Sequence, residues 1–136
     1  MPPWRERIYC GRVEPIEKFR VSTAELVEGA YVVTVNGEAD MYGAPQLSTE
    51  LDRLITNGAR DVIVDLLDVP FVDSTVLGVL LTASKRARVD GHELVLVSDD
   101  PRVLRVFEVT GLLGQFTVER SLASAVERSL DRAFVA

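Results

Sequence analysis

Residues 61–91 read DVIVDLLDVPFVDSTVLGVLLTASKRARVDG, and the fold is decided in this stretch. Val62, Ile63, Val64 and Leu66 form a short apolar run rich in β-branched residues, the composition of a strand covered on both faces in an α/β sheet. Pro70 cannot donate to a ladder and ends the pairing. Beyond it, Leu77, Leu80, Leu81 and Ser84 fall at the spacing of one helical face. Asp73 is the predicted N-cap, Ser74 the first helical residue, and Asp90-Gly91 the stop. A helix N-terminus presents unpaired backbone N–H groups and a positive dipole end, which suits a phosphate or another anion. Ser74 and Thr75 therefore either cap the helix or place a hydroxyl where such chemistry occurs.

Upstream, Phe19–Leu26 alternates at Phe19, Val21 and Thr23 as a first strand, and Tyr31–Val35 is a stronger second one. The Glu28-Gly29 turn between them is so short that an antiparallel pair is expected. The loop Asn36–Asp40 follows, and a helix begins near Pro45 with Leu47, Leu51, Leu54 and Ile55 as its buried face and Gly58 as its end. Asp40 thus lies at the end of a strand, where functional residues of open α/β sheets gather.

Downstream, Glu93–Ser98 is another buried strand, and Asp99-Asp100-Pro101 opens a helix with Val103, Leu104 and Phe107 inward and Gly111-Leu112 as a Schellman ending. Phe116–Glu119 is a short edge strand, and Ser121 caps a last helix bearing Leu122, Val126, Leu130 and Phe134. The alternation predicts one α/β domain over 19–136, with a mixed, largely parallel sheet and about four helices. Residues 1–18 carry three of the six prolines and charges without a period, which predicts a poorly ordered arm with Trp4 and Tyr9 as its candidate docking groups.

Composition narrows the chemistry. With 136 residues and 47% hydrophobic content, one ordinary core is expected. No apolar run approaches the roughly 18 residues of a membrane span, and the first residues lack the apolar core of a signal peptide, so a cytoplasmic protein is expected. The single Cys10 forms no internal disulfide, and the single His92, at a helix-to-strand turn, has no Cys or second His as a partner in catalysis. No metal and no cofactor are expected. Fifteen Lys and Arg against 21 Asp and Glu leave a net charge of -6, unsuited to a phosphate-backbone surface. Neither G-x-G-x-x-G nor a P-loop occurs, and G-x-S-x-G is absent, so the protein is not expected to be an enzyme. Asp65, Asp68 and Asp73 cluster like a phospho-accepting aspartate site, but the acidic pair and late lysine of a receiver are missing.

The segments VNGEADMYGAPQL (35–47), DLLDVPFVDSTVLG (65–78) and DPRVLRVFEVTGL (100–112) together resemble the STAS domain of bacterial anti-sigma factor antagonists, over about residues 19–131. The resemblance implies a transcription-regulating switch by partner exchange. The unphosphorylated antagonist binds an anti-sigma serine kinase and releases a sigma factor; phosphorylation reverses this, and a serine phosphatase resets it. By the same resemblance Ser74 is the phospho-acceptor, Asp40 a contact for the kinase and its nucleotide, and Asp73 and Thr75 part of the docking surface. The family usually has glycine two residues after the switch serine; here Val76 stands there, a side chain expected at the rim of that surface. Two alternatives stay open: a STAS adaptor module in a signalling or transport assembly, with Ser74 only a cap, and a small-molecule module binding near Asp40 and Ser74.

Overall fold

The structure is a computed structural model that describes residues 19–134. The expected arm, with Trp4, Tyr9 and Cys10, lies outside the described residues, as do positions 135–136 and the side chain of Phe134. Five strands and four helices follow one another as β1 Arg20–Val27, β2 Ala30–Asn36, α1 Ala44–Thr56, β3 Asp61–Asp68, α2 Ser74–Val89, β4 Glu93–Val97, α3 Pro101–Val109, β5 Thr117–Glu119 and α4 Leu122–Phe134. A 3-10 turn at Leu113–Gln115 leads into β5.

The strands lie in the sheet in sequence order. β1 and β2 form the antiparallel hairpin, turning at Gly29 with φ 82°, a left-handed value that glycine adopts without steric cost. The other three pairings are parallel. Right-handed crossovers that always step in one direction must put their helices on one face of the sheet. α1, α2 and α3 accordingly share a face, and among the described residues α4 is the helix on the other.

The two-residue period of the strands sorts their side chains between these layers. Val33, Val35, Val62, Val64, Leu66, Leu94 and Leu96 join Leu47, Leu51, Val76, Leu80, Val103 and Phe107 in the large core. Val32, Ile63, Val95 and Val97 meet Ala125, with Leu122 and Val126 against them, under α4. The expected strand and helix boundaries are met within one or two residues, and the Schellman ending of α3 is present: the Gly111 and Leu112 N–H groups donate to Glu108 O and Phe107 O at 3.1 and 2.9 Å.

Three details depart from the sequence reading. Leu81 and Leu104 are only half-buried, and the inward face of α2 is made instead by Val76, Leu77, Leu80, Ala83, Ser84 and Ala87. His92 is half-buried in its turn rather than solvent-facing, its N–H donating to Ala87 O at 2.8 Å. The buried side of α4 includes a polar residue, Ser129, whose hydroxyl donates to the buried carboxylate of Asp61 at 2.9 Å.

Candidate functional site

Two loops at the carboxyl ends of the adjacent parallel strands β2 and β3 are joined by backbone. The Ala39 N–H donates to Phe71 O, and the Asp73 N–H donates to Ala39 O, both at 3.0 Å, so Ala39 and Val72 form a one-rung parallel bridge. Asp40 follows one end of this bridge and Ser74 the other. Two positions 34 residues apart in sequence are thereby held in one surface.

Asp40 organises its own loop. Its Oδ1 accepts from the N–H groups of Tyr42 and Gly43 at 3.0 and 3.3 Å, while its carbonyl accepts from Gly43 and Ala44 at 3.0 Å each. Among the described residues, Oδ2 has no partner. One oxygen is therefore committed to the shape of the loop, and the other keeps its capacity to accept.

Asp73 is the N-cap of α2, as its spacing predicted: its backbone is extended and its Oδ1 accepts from the Val76 N–H at 3.0 Å. Its carbonyl accepts from Leu77 N–H at 3.0 Å. Ser74 and Thr75, the first two helical residues, are exposed. The Ser74 hydroxyl thus stands in solvent at the positive end of a 16-residue helix.

Val76 does not stand at the rim expected of it. Its side chain is 0% exposed and belongs to the large core, because the third residue of α2 already faces the sheet. The surface bulk beside Ser74 comes from residues that the sequence reading passed over. Met41 and Tyr42 in the Asp40 loop are 58% and 85% exposed, and Phe71 in the other loop is 47% exposed. Three large apolar side chains around two carboxylates and a hydroxyl form a surface suited to a protein partner. The signal was in the sequence as two adjacent apolar residues inside a loop and a phenylalanine following Pro70.

A groove of about 370 Å³ runs from this surface between α1 and α2, lined by Ser48, Asp52, Thr75, Gly78, Thr82 and Arg86 among others. Its floor is open at Gly78, where an added Cβ would meet nothing within 4 Å. Asp65 and Asp68 do not join Asp73 in a ligand set: Asp65 Oδ1 accepts from the Leu67 N–H at 2.9 Å, and no group of three potential ligands occurs among the described residues. No helix of the described residues is long and apolar enough to cross a membrane.

The profile described as STAS domain matches residues 22–125. The anti-sigma-B factor antagonist of Staphylococcus aureus is 38% identical over 82 residues, 60% of this chain and 76% of the relative. BtrV of Bordetella bronchiseptica, a candidate anti-sigma factor antagonist, is 33% identical over 103 residues, 76% of this chain and 89% of the relative. A crystal structure of an anti-sigma factor antagonist from Mycobacterium paratuberculosis superposes with a TM-score of 0.75 at 25% identity, covering 85% of this chain and 96% of that one.

Proposed function

This chain belongs to the STAS domain family, and from that premise we propose that it is an anti-sigma factor antagonist switched by phosphorylation of Ser74. Its role is binding, not catalysis. The unmodified protein docks on an anti-sigma factor that is also a serine kinase and frees a sigma factor; the kinase phosphorylates Ser74 and docking ends. A serine phosphatase restores the competent form. The antagonist names of its relatives support the role. The observation that carries the switch is the exposed Ser74 hydroxyl at the N-terminus of α2, joined through Ala39 and Asp73 to the loop of Asp40, Met41 and Tyr42.

The electrostatics give the switch a direction. Phosphorylation adds nearly two negative charges beside Asp73 on a chain of net charge -6. In the free protein the dipole of α2 and water stabilise the phosphate; in the complex it must lose water against the partner. A penalty of about 2–3 kcal/mol weakens docking roughly 30- to 150-fold. No conformational change is needed. Asp40 is the contact for the kinase and its nucleotide, through the oxygen that its own loop leaves open, while Asp73, Thr75, Met41, Tyr42 and Phe71 complete the surface.

Peptide mass spectrometry of the protein purified from its own cells, with and without phosphatase treatment, tests the reading. A single phosphate on Ser74 is expected, together with loss of kinase capture by Ser74→Glu and its retention by Ser74→Ala. Capture by Ser74→Glu at wild-type affinity would rule the switch out.

A further inference from the structure

Gly43 holds its backbone at φ -90° and ψ -15°, a conformation open to every L-residue. Conformation does not require glycine there, but space does. A Cβ built on Gly43 would lie 2.5 to 2.8 Å from three ring carbons of Phe19. Phe19 immediately precedes β1, whose first residue Arg20 pairs with Asn36 at the end of β2. The ring therefore reaches the end of the sheet that carries the Asp40 loop, partly buried against the large core beside Val21.

The turn beneath that ring is unusual in how it starts a helix. Gly43 is the N-cap of α1 and provides no capping side chain. The Ala44 N–H at the first turn is taken by Asp40 O, and the Gly43 N–H is shared between Asp40 O and Asp40 Oδ1. Asp40 thus substitutes for a cap, and the turn is closed from one side by its own hydrogen bonds and from the other by an aromatic ring.

We propose that Phe19 is a positioning residue of the docking surface: its ring, seated on Gly43, fixes the Asp40–Gly43 turn and, through the Ala39–Asp73 bond, the orientation of that turn towards Ser74. The consequence for docking rests on the function proposed above; the packing does not.

Amide hydrogen exchange, read by NMR on the full chain, tests the packing in Phe19→Leu, Phe19→Ala, Gly43→Ala and the double variant. Phe19→Ala is expected to accelerate exchange at Gly43 and Ala44 about tenfold more than at Ile63 and Val64, whose amides report global opening. Phe19→Leu, which keeps an apolar cover, should stay within about threefold of wild type. Gly43→Ala should disturb the same amides, and combining it with Phe19→Ala should accelerate them no more than Phe19→Ala does alone, since the new methyl then has room. Equal acceleration at both sets of amides, or additive effects in the double variant, would overturn the proposal.

A second arm reads Ser74 phosphate in cells of the protein's own source. Occupancy should fall several-fold in Phe19→Ala relative to Phe19→Leu at equal protein level; equal occupancy, where the wild type is modified, would overturn the positioning role. A wild type that never carries Ser74 phosphate would sink the docking reading alone, and the exchange rates would still decide the assignment of Phe19.

Discussion

Asp73 and Val76 are three residues apart and take opposite roles because Asp73 is the extended N-cap and Val76 a helical residue turned to the sheet. Asp73 stands outside α2 and accepts the Val76 N–H, whereas the Val76 side chain is driven into the core. Asp73→Ala should therefore cost about 1 kcal/mol in urea unfolding, the usual value of a lost N-cap. Asp73→Asn should cost far less, because its amide oxygen can still accept that N–H. Equal losses in the two variants would mean that the carboxylate charge, not the cap, stabilises the helix. The cap was legible from the order Asp-Ser-Thr before an apolar face. The burial of Val76 was not, because helical phase against the sheet is fixed by packing.

Among the described strands β1 lies at the edge of the sheet, and on its helix-facing side it is fastened to α1 by polar side chains. The Thr23 hydroxyl donates to Glu50 Oε2, and Arg53 Nε and Nη2 donate to the two Glu50 oxygens at 3.1 and 2.7 Å. These hydrogen bonds, Arg53 first and then Thr23, hold the Glu50 carboxyl below its ordinary value near 4.5. A carboxyl whose folded pKa is depressed stabilises the fold above its unfolded pKa, and that contribution is lost as pH falls through the folded value. Thermal stability should accordingly decline below about pH 4.5, and Glu50→Gln should flatten that part of the profile while lowering stability at neutral pH. An unchanged acid limb in Glu50→Gln would show that other carboxyls govern it. Phe19, Val21 and Thr23 were visible as an alternating row, but their partners on α1 lie more than 20 residues away and carry no local signal.

Across the molecule, α4 on the far face is held by charge as well as by apolar contact. Asp61, 1% exposed at the start of β3, accepts from Ser129 Oγ at 2.9 Å, from Arg132 Nε at 3.0 Å and from Arg60. Glu93 on the neighbouring strand accepts from Arg128 Nε and Nη2 at 2.7 and 2.6 Å. Removing one partner of a buried ionic cluster leaves the others uncompensated, so Asp61→Ala should lower unfolding stability by about 3 kcal/mol. Proteolysis should then begin in α4. The docking proposed for the Ser74 surface, at the opposite ends of the strands, should be unaffected; a parallel loss of docking would reveal coupling between the two ends. No periodicity singled out Asp61, since an acid before an apolar run usually marks a strand's exposed start.

The features legible along the chain are local and periodic. Strand and helix identity followed from apolar spacing, the caps from Asp73, Asp100 and Ser121, the helix stops from Gly91 and Gly111, and the serine at a helix start from the order of residues 73–75. These are decided by neighbours within a few positions, whose steric and hydrogen-bonding preferences act before any tertiary contact forms. Which surfaces meet was settled by packing across the whole domain. Sequential strand order put three helices on one face, the Ala39–Val72 bridge brought the Asp40 and Ser74 loops together, and Gly43 received the Phe19 ring. Such contacts depend on the register and the direction of the crossovers, which arise when the whole chain packs its apolar faces together and leave no trace in the spacing of any one segment.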